Sequence, residues 1–360
     1  NDGMVLMASE VGVLRGIPES SIIEKGRLGP GEMIVVDIEK HTIEKNEEIK
    51  DIVSKSKEYS DLLESNLVRL DSRMADQNSD IDDIDDFNLL RRQKIFGYTR
   101  EEPSMVIKPM VQEGKDATYS MGDDTPLAVF SNLKPPVYNY FKQGFAQVTN
   151  PAIDPIREAI VMSTNVYLGR RTSLITDDKL KFKLLSVDAP IIFNEQLDAI
   201  RTLGDNDLRS VTLPTSFKVS AGPGELHNAL DDLCDQAESA VDAGHTILIL
   251  SDRRVDEDYA PIPMLLAVGA VHQELIKRGK RMKVSIVCDT GEARDVHHYA
   301  TLIGYGASLV NPYLVWDILH QLSEKGELKD LDEQEYALNK YRVAANKGIL
   351  KIMSKMGIST

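Results

Sequence analysis

The chain has 360 residues, of which 42% are hydrophobic and 28% charged, and its formal net charge is −15. That length buries a sizeable core in one large domain or two. The acidity, with no basic run in the sequence to offset it, excludes a nucleic-acid surface, and no apolar run approaches the roughly 20 residues that span a bilayer.

No secretory signal opens the chain. Cys234 and Cys288 are the only cysteines. Neither belongs to a Cys-x-x-Cys pair, so an iron–sulfur or zinc site has no ligand set. Both read as reduced core thiols, which implies an intracellular, cytoplasmic chain. A first residue of Asn and an end straight after a helical pattern suggest a piece of something longer.

Residues 1–45 read as short strands and turns. The apolar runs Met4 to Met7 and Met33 to Ile38 flank a turn at Gly29 to Gly31. Glu47 to Leu67 has the three- and four-residue apolar spacing of a helix. The acidic run Asp76 to Asp86 lacks the glycine and closing glutamate of a calcium loop and reads as a solvated linker. Phe87 to Gly97 and Glu101 to Glu113 read as short helices. Pro136 to Gln147 reads as another, with Tyr138, Tyr140, Phe141 and Phe145 as a core stripe.

The second half alternates. Strands are expected at Arg209 to Val219, Thr246 to Ser251, Lys283 to Asp289 and Ala307 to Asn311. Helices are expected at Gly224 to Ala243, Ile262 to Lys277 and Glu292 to Gly304. This spacing predicts an α/β fold with a parallel sheet and right-handed crossovers. Ser251-Asp252-Arg253, Asp289-Thr290-Gly291 and Asn311-Pro312-Tyr313 all follow strand ends, where α/β sites lie.

Other candidates are weaker. His297 and His298 point about 100° apart on a helix and read as packing residues, and His272 as a helix-surface histidine. Gly222-Pro223-Gly224 lacks the lysine of a phosphate loop. Gly304-Tyr305-Gly306 reads as a helix C-terminal turn. No catalytic or metal-binding set is signalled by spacing.

Two stretches are dense in residues that prescribe a backbone: Tyr119 to Pro126, with Gly122, Asp123 and Asp124, and Phe141 to Glu158, with Pro151 and Pro155. They resemble signatures of the glutamate synthase central domain. So do Gly26 to Glu32, Gln93 to Thr99, Ala260 to Pro263 with Leu265 to His272, Thr290 to Arg294, and Asn346 to Ser359. The chain departs from the usual pattern at Gly144, Ala152 and Ala159.

The resemblance implies three segments: 1–45 as the tail of a glutamine amidotransferase domain, 46–335 as the central domain, and 336–360 as the entry to an FMN-binding domain. It implies a degenerate TIM-barrel-like fold, like the flavin-oxidoreductase barrel but without flavin, behind a short β segment. Met121, Thr149 and Asn150, with Ile262 as a further candidate, stand where the family lines an ammonia tunnel. Gly122, Asp123 and Asp124 would brace the loop.

The parent would hydrolyse glutamine, pass ammonia to 2-oxoglutarate and reduce the imine with flavin electrons. FMN and an iron–sulfur cluster would lie in the parent and not in this piece. Its partners would be the other domains of that chain and a possible second copy, with no nucleic acid or membrane. A plastid location follows if the source is photosynthetic. Alone, the piece is expected to be inactive, and its first 39 residues to dock on the central domain or on a second copy. The alternatives are a self-standing barrel-like enzyme with a site near Asp252, Asp289 and Asn311, and a module that scaffolds an oligomer.

Overall fold

The computed structural model describes residues 3–10, 12–13, 16–55, 59–70, 86–117, 132, 135–142, 153–172, 183–222, 224–328 and 334–360. The chain divides into two compact units, Asn1–Ser65 and Asn66–Thr360.

In the first unit, β1 (Ile34–Asp37) and β2 (Thr42–Lys45) form an antiparallel hairpin. Asp37 makes its turn, accepting from the backbone N–H groups of Glu39 and Lys40. Helix α1 (Asn46–Ser54) follows, with Glu48 reaching back to the Lys45 N–H. The expected single helix over Glu47 to Leu67 is instead α1 and α2 (Tyr59–Asn66), and Leu67 opens strand β3 (Leu67–Arg69). Pairing of β3 with β5 overrides the local helical pattern there.

In the second unit, α3 (Asp86–Ile95) precedes a continuous turn of helix that is π-type over Pro103–Ile107 and becomes α4 (Lys108–Glu113). Pro109 has no N–H for an α-type bond, and the Lys108 N–H reaches back to Pro103 O. The expected helix over Pro136 to Gln147 is one 3-10 turn at Val137–Tyr140, after which Phe141 is extended. The aromatic stripe is correspondingly broken: Tyr138 is fully buried, whereas Tyr140 is 73% exposed. Residues 143–147 lie outside the described residues.

Helix α5 (Pro155–Val161), β4 (Val166–Leu168), β5 (Leu184–Val187) and α6 (Asn194–Arg201) come next. The alternating region follows: β6 (Ser210–Pro214), β7 (Ser216–Lys218), α7 (Glu225–Asp242), β8 (Ile247–Ser251), β9 (Tyr259–Pro261) and α8 (Met264–Lys277). Then come β10 (Ser285–Asp289), α9 (Val296–Gly304), β11 (Leu309–Asn311), α10 (Tyr313–Glu324) and α11 (Gln334–Met356).

Two expectations shift here. The strand over Arg209 to Val219 breaks at Thr215, and β7 leaves the parallel sheet to pair with β9. The helix expected from Glu292 starts at Val296, because Asp295 caps it by accepting from the His298 N–H.

The sheet β6-β8-β10-β11 is parallel throughout, and each new strand adds to the same edge. Ile191 extends it by a parallel bridge to Val310. Strand β8 reads Ile-Leu-Ile-Leu-Ser and is buried at every position, as a sheet covered on both faces requires. One face (Leu213, Leu248, Leu250, Ile286, Cys288, Val310) joins the core made with helices α7 to α11. The other (Ile247, Ile249, Val287, Leu309) packs with Leu168, Leu185, Leu197 and Ile200. Each such buried Leu or Ile contributes about 1.5–3 kcal/mol. Among the described residues no helix is long and apolar enough to cross a membrane.

Candidate functional site

Beyond their apolar cores the strands end in two polar rows, one on each face. The register sets Ser251, Asp289 and Asn311 side by side. One residue further on, Thr215, Asp252 and Thr290 form the next row, each donating its N–H to a carbonyl of the preceding one: Ser251, Asp289 and Asn311 respectively. Side chains alternate along a strand, so the rows face opposite ways.

Asp289 is wholly buried and saturated. Its Oδ2 accepts from Ser251 Oγ at 2.8 Å, the Arg201 guanidinium at 2.9 Å and Arg253 Nε at 3.0 Å. Asn311 Nδ2 donates to Oδ1 at 3.3 Å. Burial works against the Arg253 charge, but Asp289 beside it raises the guanidinium above its ordinary value. Arg253 also donates to Asn194 Oδ1 at 2.7 Å and lies 4.2 Å over the Tyr313 ring.

Asp252 belongs to the other row. The Thr290 hydroxyl, the Gly291 N–H and the Tyr313 hydroxyl all donate to it. Burial nonetheless pushes its pKa up to about 7. Gly291 is required at this spot, because a Cβ would fall 2.6 Å from the Phe96 ring and 2.9 Å from the Tyr313 hydroxyl. The Thr215 hydroxyl is buried without a partner among the described residues.

The loop after β10 ties distant segments together. Glu292 Oε2 accepts from the Met264 N–H at 2.9 Å, at the start of α8, and from the Tyr138 hydroxyl at 3.2 Å. Burial raises the Glu292 carboxyl. Arg294 is 2% exposed. It donates to Glu102 at 2.6 Å and to the carbonyls of Phe96, Gly97 and Glu292, and stacks 4.1 Å over Tyr98. Tyr341 of α11 donates to the Arg294 carbonyl at 2.8 Å. The motifs at Gln93 to Thr99 and Thr290 to Arg294, far apart in sequence, therefore meet in space.

Of the residues expected to line the tunnel, Ile262 is placed. It is 1% exposed, in the core shared with α8, and its N–H donates to Thr215 O at 2.9 Å. Met121, Thr149 and Asn150, and the bracing residues Gly122, Asp123 and Asp124, lie outside the described residues. Of the strand-end residues, Asp289 and Asn311 are brought together and bonded to each other, whereas Asp252 faces the other way and is held by Thr290, Gly291 and Tyr313. A cavity of about 30 Å³ lies beside them, lined by Phe193, Asn194, Trp316 and His320 among others. That is room for a water molecule, not for an amino acid or a flavin.

His298 stacks on Tyr138 with centroids 4.3 Å apart, and burial lowers its pKa to about 4. His297 contacts the Tyr138 carbonyl. His272, expected at a helix surface, is part-buried against Arg281. Gly306 follows the end of α9 with a φ of 115°. Sequence reasoning missed the linking roles of Glu292 and Arg294 because it placed both inside a helix. Asp295, three residues before His298, is the capping signal that would have moved the helix start.

A family model described as the glutamate synthase central domain matches residues 91–360, and one for class-II glutamine amidotransferases matches residues 1–62. The whole chain aligns at 42% identity with the glutamate synthase [NADPH] large chain of Bacillus subtilis, covering 23% of its length. It aligns at 44% with the chloroplastic ferredoxin-dependent glutamate synthase 2 of Arabidopsis thaliana, covering 22%. It aligns at 37% with the glutamate synthase [NADH] of Schizosaccharomyces pombe, covering 17%. The chain thus spans less than a quarter of these relatives. A mutant flavocytochrome b2 with pyruvate bound covers 47% of this chain, and this chain 51% of it, at 13% identity and a TM-score of 0.28, too slight a likeness to carry an argument. On the match over residues 91–360, the chain belongs to the glutamate synthase central-domain family.

Proposed function

We propose that this chain joins the glutaminase and FMN sites of a glutamate synthase and helps wall the path by which ammonia passes between them. The observation that carries the reading is the colinear pair of family matches, amidotransferase at 1–62 and central domain at 91–360, on one chain. In such an enzyme glutamine is hydrolysed on one side, and the ammonia released meets 2-oxoglutarate on the other, where flavin electrons reduce the imine. We read residues 1–45 as the amidotransferase tail, 46–335 as the central domain and 336–360 as the entry to the FMN-binding domain.

The parallel sheet, with each strand added to the same edge, is read as an arc of a degenerate barrel. Its strand ends do not fit a flavin, since Asp289 is taken up by Arg253 and Asn311 on one face and Asp252 by Thr290 and Tyr313 on the other. The two cysteines do not fit an iron–sulfur cluster either: Cys288 is buried in β10 and Cys234 sits part-buried on α7. FMN and the cluster are therefore assigned to other parts of the parent, and the chemistry with them. This speaks for a scaffold and against a self-standing enzyme at the strand ends.

Neutral ammonia needs a path screened from water, lest it be protonated. A thioether at Met121, a hydroxyl at Thr149, a carboxamide at Asn150 and an aliphatic wall at Ile262 offer no acid or base strong enough to trap it. In the intact enzyme, Thr149→Trp should block the path. Glutamine-dependent glutamate formation should fall while glutamine hydrolysis persists. Equal loss of both would mean a folding defect, and unchanged coupling would remove Thr149 from the wall.

A further inference from the structure

At the other end of the strands, just before β10, two cations far apart in sequence come together. The Arg171 N–H donates to Met282 O at 3.0 Å, which sets Arg171 beside Arg281. Among the described residues neither forms an ion pair, although the chain carries 57 acidic residues against 42 basic ones. Nearby cations are mostly paired: Lys280 binds Glu238 and Asp242, and Arg278 binds Glu274 and Asp235.

Arg281 is held in a built position, part-buried and, among the described residues, bonded only to neutral acceptors. Its Nε–H donates to His272 Nδ1 at 2.9 Å, one terminal nitrogen to Val284 O at 2.7 Å, and the other to Gly306 O at 2.8 Å. Each terminal nitrogen keeps a second N–H. Gly306 makes room: with φ at 115°, a Cβ there would sit 2.3 Å from His272 Nδ1. Because His272 Nδ1 accepts, its proton is on Nε2, another unspent donor. Burial, and then Arg171 nearby, depress the Arg281 guanidinium, so the two charges repel.

We propose that Arg171 and Arg281, with the Nε2–H of His272, form a binding site for a small doubly charged oxyanion, a phosphate or a dicarboxylate. A fixed guanidinium with spare N–H groups suits oxygens on one planar or tetrahedral centre, and the exposed Arg171 adds a second charge beside it. The site lies at the other end of the strands from Asp252, Asp289 and Asn311.

Titration calorimetry of the whole chain with sodium phosphate, and separately with sodium malonate, at constant ionic strength tests it. Saturable one-site binding of either is expected, and whichever binds identifies the kind of oxyanion. Arg171→Gln should weaken binding about tenfold, the loss of one charge-assisted contact. Arg281→Gln should abolish it, and Arg281→Lys, which keeps the charge but not the fork, should fall between. Circular dichroism checks that each variant is folded. Lys277→Gln, an exposed cation on α8, should change nothing. No saturable heat with either anion overturns the proposal, as does equal weakening by Lys277→Gln, which would be charge screening alone. The nearest acids in sequence to Arg171 are Asp177 and Asp178. Binding that appears only in the Asp177→Asn/Asp178→Asn variant would make these carboxylates the natural partners and also overturn it.

Discussion

The two units of the chain solve the burial problem differently. In residues 66–360, one sheet is buried on both faces, and its strands β8, β10 and β11 end in side chains that bind one another. In residues 1–65, among the described residues, Ile49 is the one buried hydrophobic side chain, while Met4, Leu6, Met7, Ile23 and Ile38 are each more than half exposed. A hairpin and a helix of this size cannot bury enough surface to offset their ordering entropy. The contrast separates a unit with its own core from one that, among the described residues, has almost none.

Core truncation sharpens this contrast most. Leu250→Ala, at a fully buried position of β8, should cost about 2–5 kcal/mol. Val35→Ala in the β1–β2 hairpin, 42% exposed, should stay within about 0.5 kcal/mol. Chemical denaturation followed by circular dichroism, with amide hydrogen exchange of the β1–β2 hairpin, reads both. Similar losses at the two positions would break the distinction.

Next in size is the Arg294 hub. Arg294→Gln leaves Glu102 and the carbonyls of Phe96 and Gly97 without their donor. A loss of about 2–3 kcal/mol is expected, below that of a fully buried pair because Glu102 is partly exposed. The same denaturation curves measure it, and a loss under about 0.5 kcal/mol, the surface range, would show that the hub is dispensable.

Much of the larger unit was legible in the sequence. The apolar run Thr246 to Ser251 reads as a buried strand and is β8 from Ile247, and the helix expected over Gly224 to Ala243 is α7. Boundaries were lost where one polar group decides: the Asp295 cap shortened α9, and the bend at Thr215 split a strand in two. The Arg294 hub and the Arg171–Arg281 cluster were invisible for another reason. Their members are far apart along the chain, and only folding brings their charges together. The prescribed loops around Met121 and Thr149 were read from residue type and resemblance, and lie outside the described residues.

A smaller effect should appear as pH dependence. Asp252 has its pKa raised from 3.8 to about 7 by burial. Between about pH 4 and pH 7 the folded chain keeps a proton that the unfolded chain has released, so stability falls as pH rises through that window. His298, lowered from 6.5 to about 4 by burial, acts oppositely: its share is lost as pH falls below about 6.5. The difference between wild type and Asp252→Asn isolates the first. The thermal midpoint of the variant should decline less from pH 5 to pH 8. Parallel profiles would mean that Asp252 titrates normally.

The claim that this family member walls a closed ammonia path is tested most directly by isotope dilution in the intact enzyme. Glutamine labelled with ¹⁵N at the amide is supplied in a bath of excess unlabelled ammonium, and the label in the amino group of glutamate is measured. The account expects nearly undiluted label in the wild type and dilution when Met121 or Thr149 is replaced by Trp and the path is broken. Glutamate from the unaltered enzyme that carries the isotope ratio of the bath would contradict it.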